Sequence, residues 1–327
     1  MQNQYITQQV KTPLVSFIVT CYNTPVKMLQ QCIDSILVLS LPETEREIIL
    51  VDDGSDSCPI NELMDYQDRI IYIRQKNSGV SAARNIGLQL CKGDYVQFVD
   101  GDDYLIQNEY EHCLDLVRYK NPDIVTFSFH DENPKSPSVS SDCSVSGSEY
   151  MKHNNLHSSV GKYIFRRNIL GELHFSVGIV YGEDEEFTPQ LFLRAENVIP
   201  TESKAYYYRN YHHSVTHHKS ARNVMKRLND TEIVLYHLYE LSTTIPAPDQ
   251  VALNRRIAQL TMDYIYNIII LTRSEHHLDR RLQRLRKREL FPLPDKDYTT
   301  KYKWFRKIIN YKKGRQLLIK TLPLIKK

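Results

Sequence analysis

The stretch "QFVDGDDYL", Gln97 to Leu105, sets Asp100, Asp102 and Asp103 within four residues, directly after an apolar run that reads as a buried strand. Like charges that close repel one another and raise each other's pKa, so the arrangement is unfavourable unless a cation or a set of donors neutralises it. Upstream, "LVSFIVT" (14–20) is a β-branched apolar run. Met28, Leu29, Cys32, Ile33, Ile36 and Leu37 then recur at helical spacing after an Asn-Thr-Pro start signal. The alternation continues with strand 46–53, helix 60–67, strand 70–75, helix 79–91, strand 94–100, helix 108–120 and strand 123–129. Such spacing predicts βαβ units, and hence an α/β fold whose mostly parallel, Rossmann-like central sheet is flanked by helices. Ligands of these sheets lie outside the carboxyl ends of the strands. The polar clusters fall at those ends: Thr20 to Asn23, Asp52 to Ser55, Asn77 to Gly79, and Asp100 to Asp103.

With 327 residues, 41% hydrophobic and 25% charged, the chain has globular composition and is not disordered. Its six cysteines (Cys21, Cys32, Cys58, Cys91, Cys113, Cys143) form no CxxC pair, and the N-terminus lacks the order of a signal peptide, so a reducing cytosol is expected. No run reaches the ~18 apolar residues of a spanning helix. The net charge of +3 hides a split: residues 273–327 carry 18 Lys and Arg against 5 Asp and Glu, and residues 1–272 carry 24 against 34. Residues 131–149 are Ser-rich and read as a connection, and from about Arg222 onward the pattern is helical.

The ordered strings "VSFIVTCYN", "VDDGS", "NSGVSAARNIG" and "GDYVQFVDGDD" together resemble the N-terminal half of glycosyltransferase family 2 enzymes with the GT-A fold. "FSVGIVYGEDEEF" and "YYYRNYHHSVT" resemble that family's acidic acceptor-side motif and closing segment, so the resemblance covers roughly residues 14–216. It implies an N-terminal extension (1–13), a GT-A catalytic domain (14–218, with a nucleotide-sugar half to 103 and an acceptor half from 104) and a helical, basic C-terminal appendage (219–327). The chemistry fits those residue types. A diphosphate leaving group calls for a divalent cation to bridge its oxygens, and carboxylates are the hard ligands that Mn²⁺ or Mg²⁺ takes.

Carried over by motif, Asp102 is the metal ligand and Asp100 lies at the metal and the ribose hydroxyls, with Asp103 as a helix cap; an N-cap cluster is the structural alternative. Asp53 is expected to contact the nucleobase and Asp52 to buttress its loop, where Gly54 suits a tight turn. Thr20, Tyr22, Asn23, Asn77, Gly79 and Arg84 complete the nucleotide-sugar set. Tyr22 either packs on the base or is a half-buried strand-end tyrosine. Of "YGEDEEF", Asp184 is expected as the catalytic base and Glu183 as a second acceptor-binding group, with Glu185 and Glu186 a surface charge run. His212, His213, His217 and His218 are either an extra metal ligand or solvated or acceptor-facing side chains.

The implied activity is inverting, metal-dependent transfer of one hexose or N-acetylhexosamine from a nucleotide-diphosphate sugar, uridine-linked by preference, to a glycan or lipid-linked glycan during surface polysaccharide synthesis. The family's processive synthases carry spanning helices and a Gln-x-x-Arg-Trp motif, neither of which occurs here. The basic segments 280–290 and 301–327 interleave Lys and Arg with Leu, Ile, Trp304 and Phe305. They imply peripheral contact with an anionic membrane at its cytoplasmic face, or else a helical appendage that packs on the protein. The acidic catalytic half argues against a nucleic-acid partner. Two rivals are a sugar-nucleotide pyrophosphorylase, which would want a Gly-rich basic loop where "CYNTP" stands, and a catalytically silent glycan-binding protein.

Overall fold

The computed structural model describes residues 12–130, 144–209 and 220–325. These form two compact units: Met1–Gly147, Ser159–Gly178 and Arg194–Asn210 make the first; Ser148–Ser158, Ile179–Leu193 and Tyr211–Lys327 make the second.

The first unit is built on a seven-stranded sheet. Its strands are β1 (Val15–Cys21), β2 (Arg46–Asp52), β3 (Ile71–Arg74), β4 (Tyr95–Asp100), β6 (Ile124–Thr126), β7 (Tyr163–Arg166) and β8 (Val198–Pro200), in the order β3-β2-β1-β4-β7-β6-β8. The first four are mutually parallel, and β7 runs antiparallel to both β4 and β6. The mostly parallel sheet read from the sequence is therefore present. β1 is buried at every residue, as its unbroken apolar run requires of a strand covered on both faces. A separate two-stranded ribbon pairs β5 (Tyr104–Leu105) with β9 (Tyr206–Tyr207).

Three helices flank these strands: α1 (Val26–Leu37), α2 (Val80–Leu90) and α3 (Gln107–Lys120). α1 buries Leu29, Cys32, Ile33 and Ile36, at spacings of three and four that define one face. α2 packs close because Gly87 faces β1: a Cβ there would lie 2.2 Å from Ile18 Cγ2. Residues 59–66 depart from the expected α-helix and wind as a 3₁₀ helix, burying Pro59, Leu63 and Tyr66. The strand expected over 123–129 ends at Thr126. Beyond it the backbone N–H groups of Phe127 and Ser128 donate to Lys162 and Ser203 instead of to a ladder partner.

The strand order locates the first unit's ligand crevice. β1 connects to β2 on one side and β3 crosses to β4 on the other, so the topological switch point lies between β1 and β4, the expected ligand position in such sheets. Register places Thr20 beside Asp100 and Cys21 beside Asp52 at that edge.

The second unit is helical: α4 (Gly147–His153, from Ser148 on), α5 (Glu183–Phe192), α6 (Ala221–Ser242), α7 (Ala247–Thr272), α8 (Glu275–Arg286), α9 (Thr300–Ile309) and α10 (Lys312–Ile325). Ser220, Ser274 and Thr299 cap α6, α8 and α9, each accepting a backbone N–H with its hydroxyl. A buried polar centre joins three helices. Glu232 of α6 accepts from Tyr264 of α7 at 2.6 Å and from Arg281 of α8 at 2.7 Å, and both charged groups are under a tenth exposed. α9 and α10 turn Tyr302, Phe305, Ile309 and Leu318 inward and leave Trp304, Tyr311, Leu317 and Leu324 exposed. Among the described residues no helix is long and apolar enough to cross a membrane.

Candidate active site

The carboxyl ends of β1, β2 and β4 carry the acidic residues, and a dense set of hydrogen bonds ties their loops together. Asp52 is fully buried. Its Oδ1 accepts from the Ser55 backbone N–H and hydroxyl at 2.9 and 2.6 Å, and its Oδ2 from Tyr72 Oη at 2.9 Å and Arg74 Nε at 3.2 Å. This is the buttressing role expected of Asp52. Asp53 is also buried, and both its oxygens are engaged: Oδ1 accepts from Ser78 N at 2.8 Å and from Gln75 Nε2, and Oδ2 from Gly79 N at 2.9 Å. It thereby fastens the loop before α2 to the end of β2. Gly54 makes that closeness possible, since its φ is +75° and a Cβ would lie 2.6 Å from the Asn77 amide nitrogen. Gly79, at φ +91°, opens α2.

Asn23 has a similar fastening role. Its backbone N–H donates to Ser55 Oγ at 2.9 Å, and its side chain exchanges two hydrogen bonds with Asp56, at 3.0 and 2.8 Å. Tyr22 beside it is about half exposed, Thr20 is buried, and Asn77 is exposed.

Arg84 is 4% exposed, a strongly disfavoured state for a cation without an anion. Its Nη2 lies 3.1 Å from Asp100 Oδ1, and its guanidinium sits 5.4 and 6.0 Å from the ring centroids of Phe175 and Phe98. The next residue, Asn85, exchanges two 2.9 Å hydrogen bonds with the backbone of Phe175, which fixes that ring beside Arg84.

The three clustered aspartates have three different surroundings. Asp103 is 1% exposed and accepts from Tyr206 Oη at 2.9 Å and Arg209 N at 2.8 Å, so both its oxygens have protein donors. The same Tyr206 hydroxyl accepts from the Asp100 backbone N–H at 3.0 Å. Burial, followed by the Asp100 charge, pushes the Asp103 carboxyl up to about 8. Asp102 is half-buried, and the same two causes raise its carboxyl too. Asp100 has its side chain 41% exposed beside Arg84.

Asp102 and Asp100, the latter paired on one oxygen with Arg84, could serve as two oxygen ligands, and a divalent cation would relieve the repulsion between them. Among the described residues no group of three or more His, Cys, Asp or Glu could hold a metal ion. Two carboxylates fit an ion of the Mg²⁺ type, which completes its shell with waters and substrate phosphates in place of an all-protein cage.

The second acidic cluster lies in the second unit. Glu183 and Asp184 open α5 after Gly182 and are half-buried; acids in a first helical turn interact favourably with the helix dipole. The surface run expected of the next two residues is not what forms. Glu186 is buried with Oε1 2.6 Å from His237 Nδ1, and Glu185 pairs with Arg256 and Ser158. Rotation along the helix turns Glu186 inward, where the apolar content of the stretch gave no hint of it. The four histidines at 212, 213, 217 and 218 lie outside the described residues.

Sequence reasoning missed Tyr206, Tyr72 and Asn85. Tyr206 stands in the quoted "YYYRNY", yet nothing in its spacing singles it out from Tyr207 and Tyr208; the pairing of β9 with β5 does so.

A mostly parallel sheet with its switch point between β1 and β4, and acids clustered at the strand ends there, has the architecture of a GT-A-class α/β enzyme. Residues 16–171 match the profile of glycosyl transferase family 2. The chain is 31% identical over 251 residues to the uncharacterized glycosyltransferase EpsJ of Bacillus subtilis (strain 168), covering 70% of this chain and 72% of that one. S. aureus TarS superposes with a TM-score of 0.65 at 17% identity over 92% of this chain, which spans 55% of that TarS chain. Its 1–349 fragment, solved with UDP-GlcNAc, gives 0.55 at 18% identity, over 91% of this chain and 93% of the fragment. The mannosyltransferase PcManGT from Pyrobaculum calidifontis, solved with GDP-Man and Mn²⁺, gives 0.58 at 14% identity, over 96% of this chain and 85% of that one. This chain belongs to glycosyl transferase family 2 and is a glycosyltransferase.

Proposed function

We propose that the chain transfers a single hexose or N-acetylhexosamine from a uridine-linked diphosphate donor to a hydroxyl of a glycan or lipid-linked glycan, with inversion and with Mn²⁺ or Mg²⁺. The carrying observation is the division of labour at the end of β4. Asp103 is consumed by Tyr206 and Arg209, whereas Asp102 and the Asp100 oxygen that Arg84 does not engage can serve a ligand. A cation bound there would neutralise the charge that builds on the diphosphate as the glycosidic bond breaks. Arg84 holds the Asp100 carboxylate, and the Asp100 N–H is held by Tyr206, so the acidic turn is preorganised. Asp53 Oδ2, with the Gly79 N–H as its one donor, has further lone-pair capacity, and we assign Asp53 to the uracil imide N–H, with Tyr22 against the base and Thr20, Asn23, Asn77 and Gly79 shaping that side. TarS, solved with UDP-GlcNAc, supports a uridine donor, and PcManGT, solved with Mn²⁺, supports the metal. We assign Asp184 as the base that takes the acceptor hydroxyl proton, and Glu183 to the acceptor.

The exposed Trp304, Tyr311, Leu317 and Leu324, interleaved with exposed Lys307, Lys313 and Lys320, favour a second element of the reading: α9 and α10 rest on an anionic membrane surface, placing the chain at the cytoplasmic face. The transferase reading is tested by incubating the protein with uridine- and guanosine-linked sugars, Mn²⁺ and candidate glycan acceptors, and reading the anomeric configuration of the product by NMR. A new linkage of configuration opposite to the donor's is expected. Retention, or nucleoside triphosphate pyrophosphorolysis in its place, overturns it.

A further inference from the structure

Glu183 and Asp184 stand in the first turn of α5, and the chain on either side of them is fastened to one face of α6. Asp230, Val234 and His237 follow one another at intervals of four and three along that helix, so they share a face. Asp230, 2% exposed, accepts from the Val180 backbone N–H at 3.0 Å and from Lys226 Nζ at 2.8 Å. Val234 lies against Gly182, where a Cβ would sit 3.7 Å from Val234 Cγ2. His237 Nδ1 lies 2.6 Å from Glu186 Oε1. The three contacts fall at residues 180, 182 and 186, and the acidic pair lies between the second and the third.

The third contact is a buried one on the α5 side. Glu186 is 7% exposed, and a carboxylate oxygen offers only lone pairs, so Nδ1 of His237 carries the hydrogen of this bond. The other oxygen, Oε2, is buried with no hydrogen-bond partner, so among the described residues the His237 bond is what holds this carboxylate.

The preceding residue is anchored elsewhere. Glu185 pairs with Arg256 of α7 and accepts from Ser158 Oγ, and Arg256 Nη2 donates to the same Ser158 oxygen at 2.8 Å. Successive side chains of an α-helix project about 100° apart around its axis. Anchors on two neighbouring residues, one to α7 and one to α6, therefore fix the rotation of α5 about its axis as well as its place. Gly182, which opens the helix, has no side chain to cap it, so the directions of Glu183 and Asp184 depend on these outside anchors.

We propose that His237 is a positioning residue of the transfer reaction: through Glu186 it sets the rotation of the first turn of α5, and with it the directions in which Asp184 and Glu183 project. The proposal rests on the assignment of Asp184 as the base. A misplacement of about 1 Å at a reacting group costs up to about a hundredfold in rate, and the Glu186 bond lies two residues from that base.

The test is steady-state kinetics of the full chain, with the donor and acceptor that give product in the assay above, on the wild type, His237→Leu, His237→Asn, Glu186→Met and Asp184→Asn. Leucine removes the hydrogen-bond donor, whereas asparagine sets an amide N–H close to the place of Nδ1. His237→Leu should lower kcat by roughly tenfold or more with the donor KM and UDP affinity unchanged, and His237→Asn should recover most of that loss. Glu186→Met breaks the same bond from the other side while filling the same space, and should lower kcat alike, so the answer stands even if His237→Leu does not fold. A kcat that ignores the loss of the bond overturns the proposal, as does a loss that His237→Asn shares in full or one that appears in the donor KM. Asp184→Asn separates the two readings. A loss of at least about a hundredfold there, beside an unchanged kcat in His237→Leu and Glu186→Met, sinks the positioning role alone; full activity in Asp184→Asn removes Asp184 as the base, and the proposal with it.

Discussion

Tyr206→Phe removes one oxygen and keeps the ring, so it isolates the hydroxyl that links the acidic turn to β9. That hydroxyl donates to Asp103 Oδ2 at 2.9 Å and accepts from the Asp100 N–H at 3.0 Å, inside a site where Tyr206 and Asp103 are each 1% exposed. With the Asp103 carboxyl pushed up to about 8 the pair is neutral near pH 7; a hydrogen bond between neutral groups contributes about 0.5–1.5 kcal/mol, and a buried N–H left unmatched costs about 1–3 kcal/mol. Allowing for overlap between the two losses, the substitution should destabilise the first unit by about 2 kcal/mol. For a unit of this size that lowers its melting transition by roughly 4–8 °C. A urea titration of the wild type, Tyr206→Phe, Asp103→Asn and the double variant gives the pairwise coupling, expected at about 1 kcal/mol or more. A Tyr206→Phe effect within about 0.5 kcal/mol of zero, or a coupling of that size, would refute the claim that this hydroxyl holds the turn.

Other perturbations address other parts of the account. Arg84→Lys should weaken uridine-sugar binding by roughly tenfold in a calorimetric titration, because an ammonium cannot reproduce the flat guanidinium between Phe98, Phe175 and Asp100; unchanged affinity would remove Arg84 from the site. Gly54→Ala should cost about 1–3 kcal/mol in chemical denaturation, since it combines a φ of +75° with a clash at the Asn77 amide; neutrality would show that the loop yields freely. Glu232→Gln should destabilise the helical unit by about 3–5 kcal/mol at pH 7 by stranding buried Arg281. Burial raises the Glu232 carboxyl, yet the Tyr264 and Tyr236 hydroxyls and the Arg284 and Arg281 charges together leave it below its usual range. Its stabilisation is therefore present above the unfolded carboxylate pKa and fades as pH falls through the lower folded value, so the gap between wild type and variant should narrow below about pH 4. Lys313→Glu with Lys320→Glu should reduce co-sedimentation with vesicles containing phosphatidylglycerol, and binding that ignores both changes would remove α10 from any membrane contact.

Much of the strand-end cluster was legible in the sequence because parallel strands buried on both faces leave unbroken apolar runs, and in such sheets the residues that follow them mark the expected ligand edge. Asp52, Asp100 and Asp102 were placed by that logic alone. The side chains that hold those acids and Arg84 in place were not: Tyr206 reaches Asp103 across 103 positions of sequence, and Asn85 reaches Phe175 across 90, separations with no local signature. Asn23 was read as a nucleotide contact from its strand-end position and Asp53 from the family motif; their protein partners, Ser55, Asp56, Gln75, Ser78 and Gly79, form a loop-to-loop geometry that only the folded backbone defines. Glu186 reads as surface by composition, and its burial against His237 follows from helical phase. Neither does sequence separation reveal that residues 148–158 and 179–193 cluster with the C-terminal helices.

The central claim, that Asp100 and Asp102 hold a donor diphosphate through a divalent cation, is tested most directly by calorimetric titration of uridine-diphosphate sugars into the full chain. The titration is run with Mn²⁺, with the metal chelated, and again on Asp102→Ala. Binding of one donor that requires the metal, and is abolished or weakened at least about a hundredfold by the substitution, is the predicted result. Equal donor affinity with and without metal, or in Asp102→Ala, would contradict it.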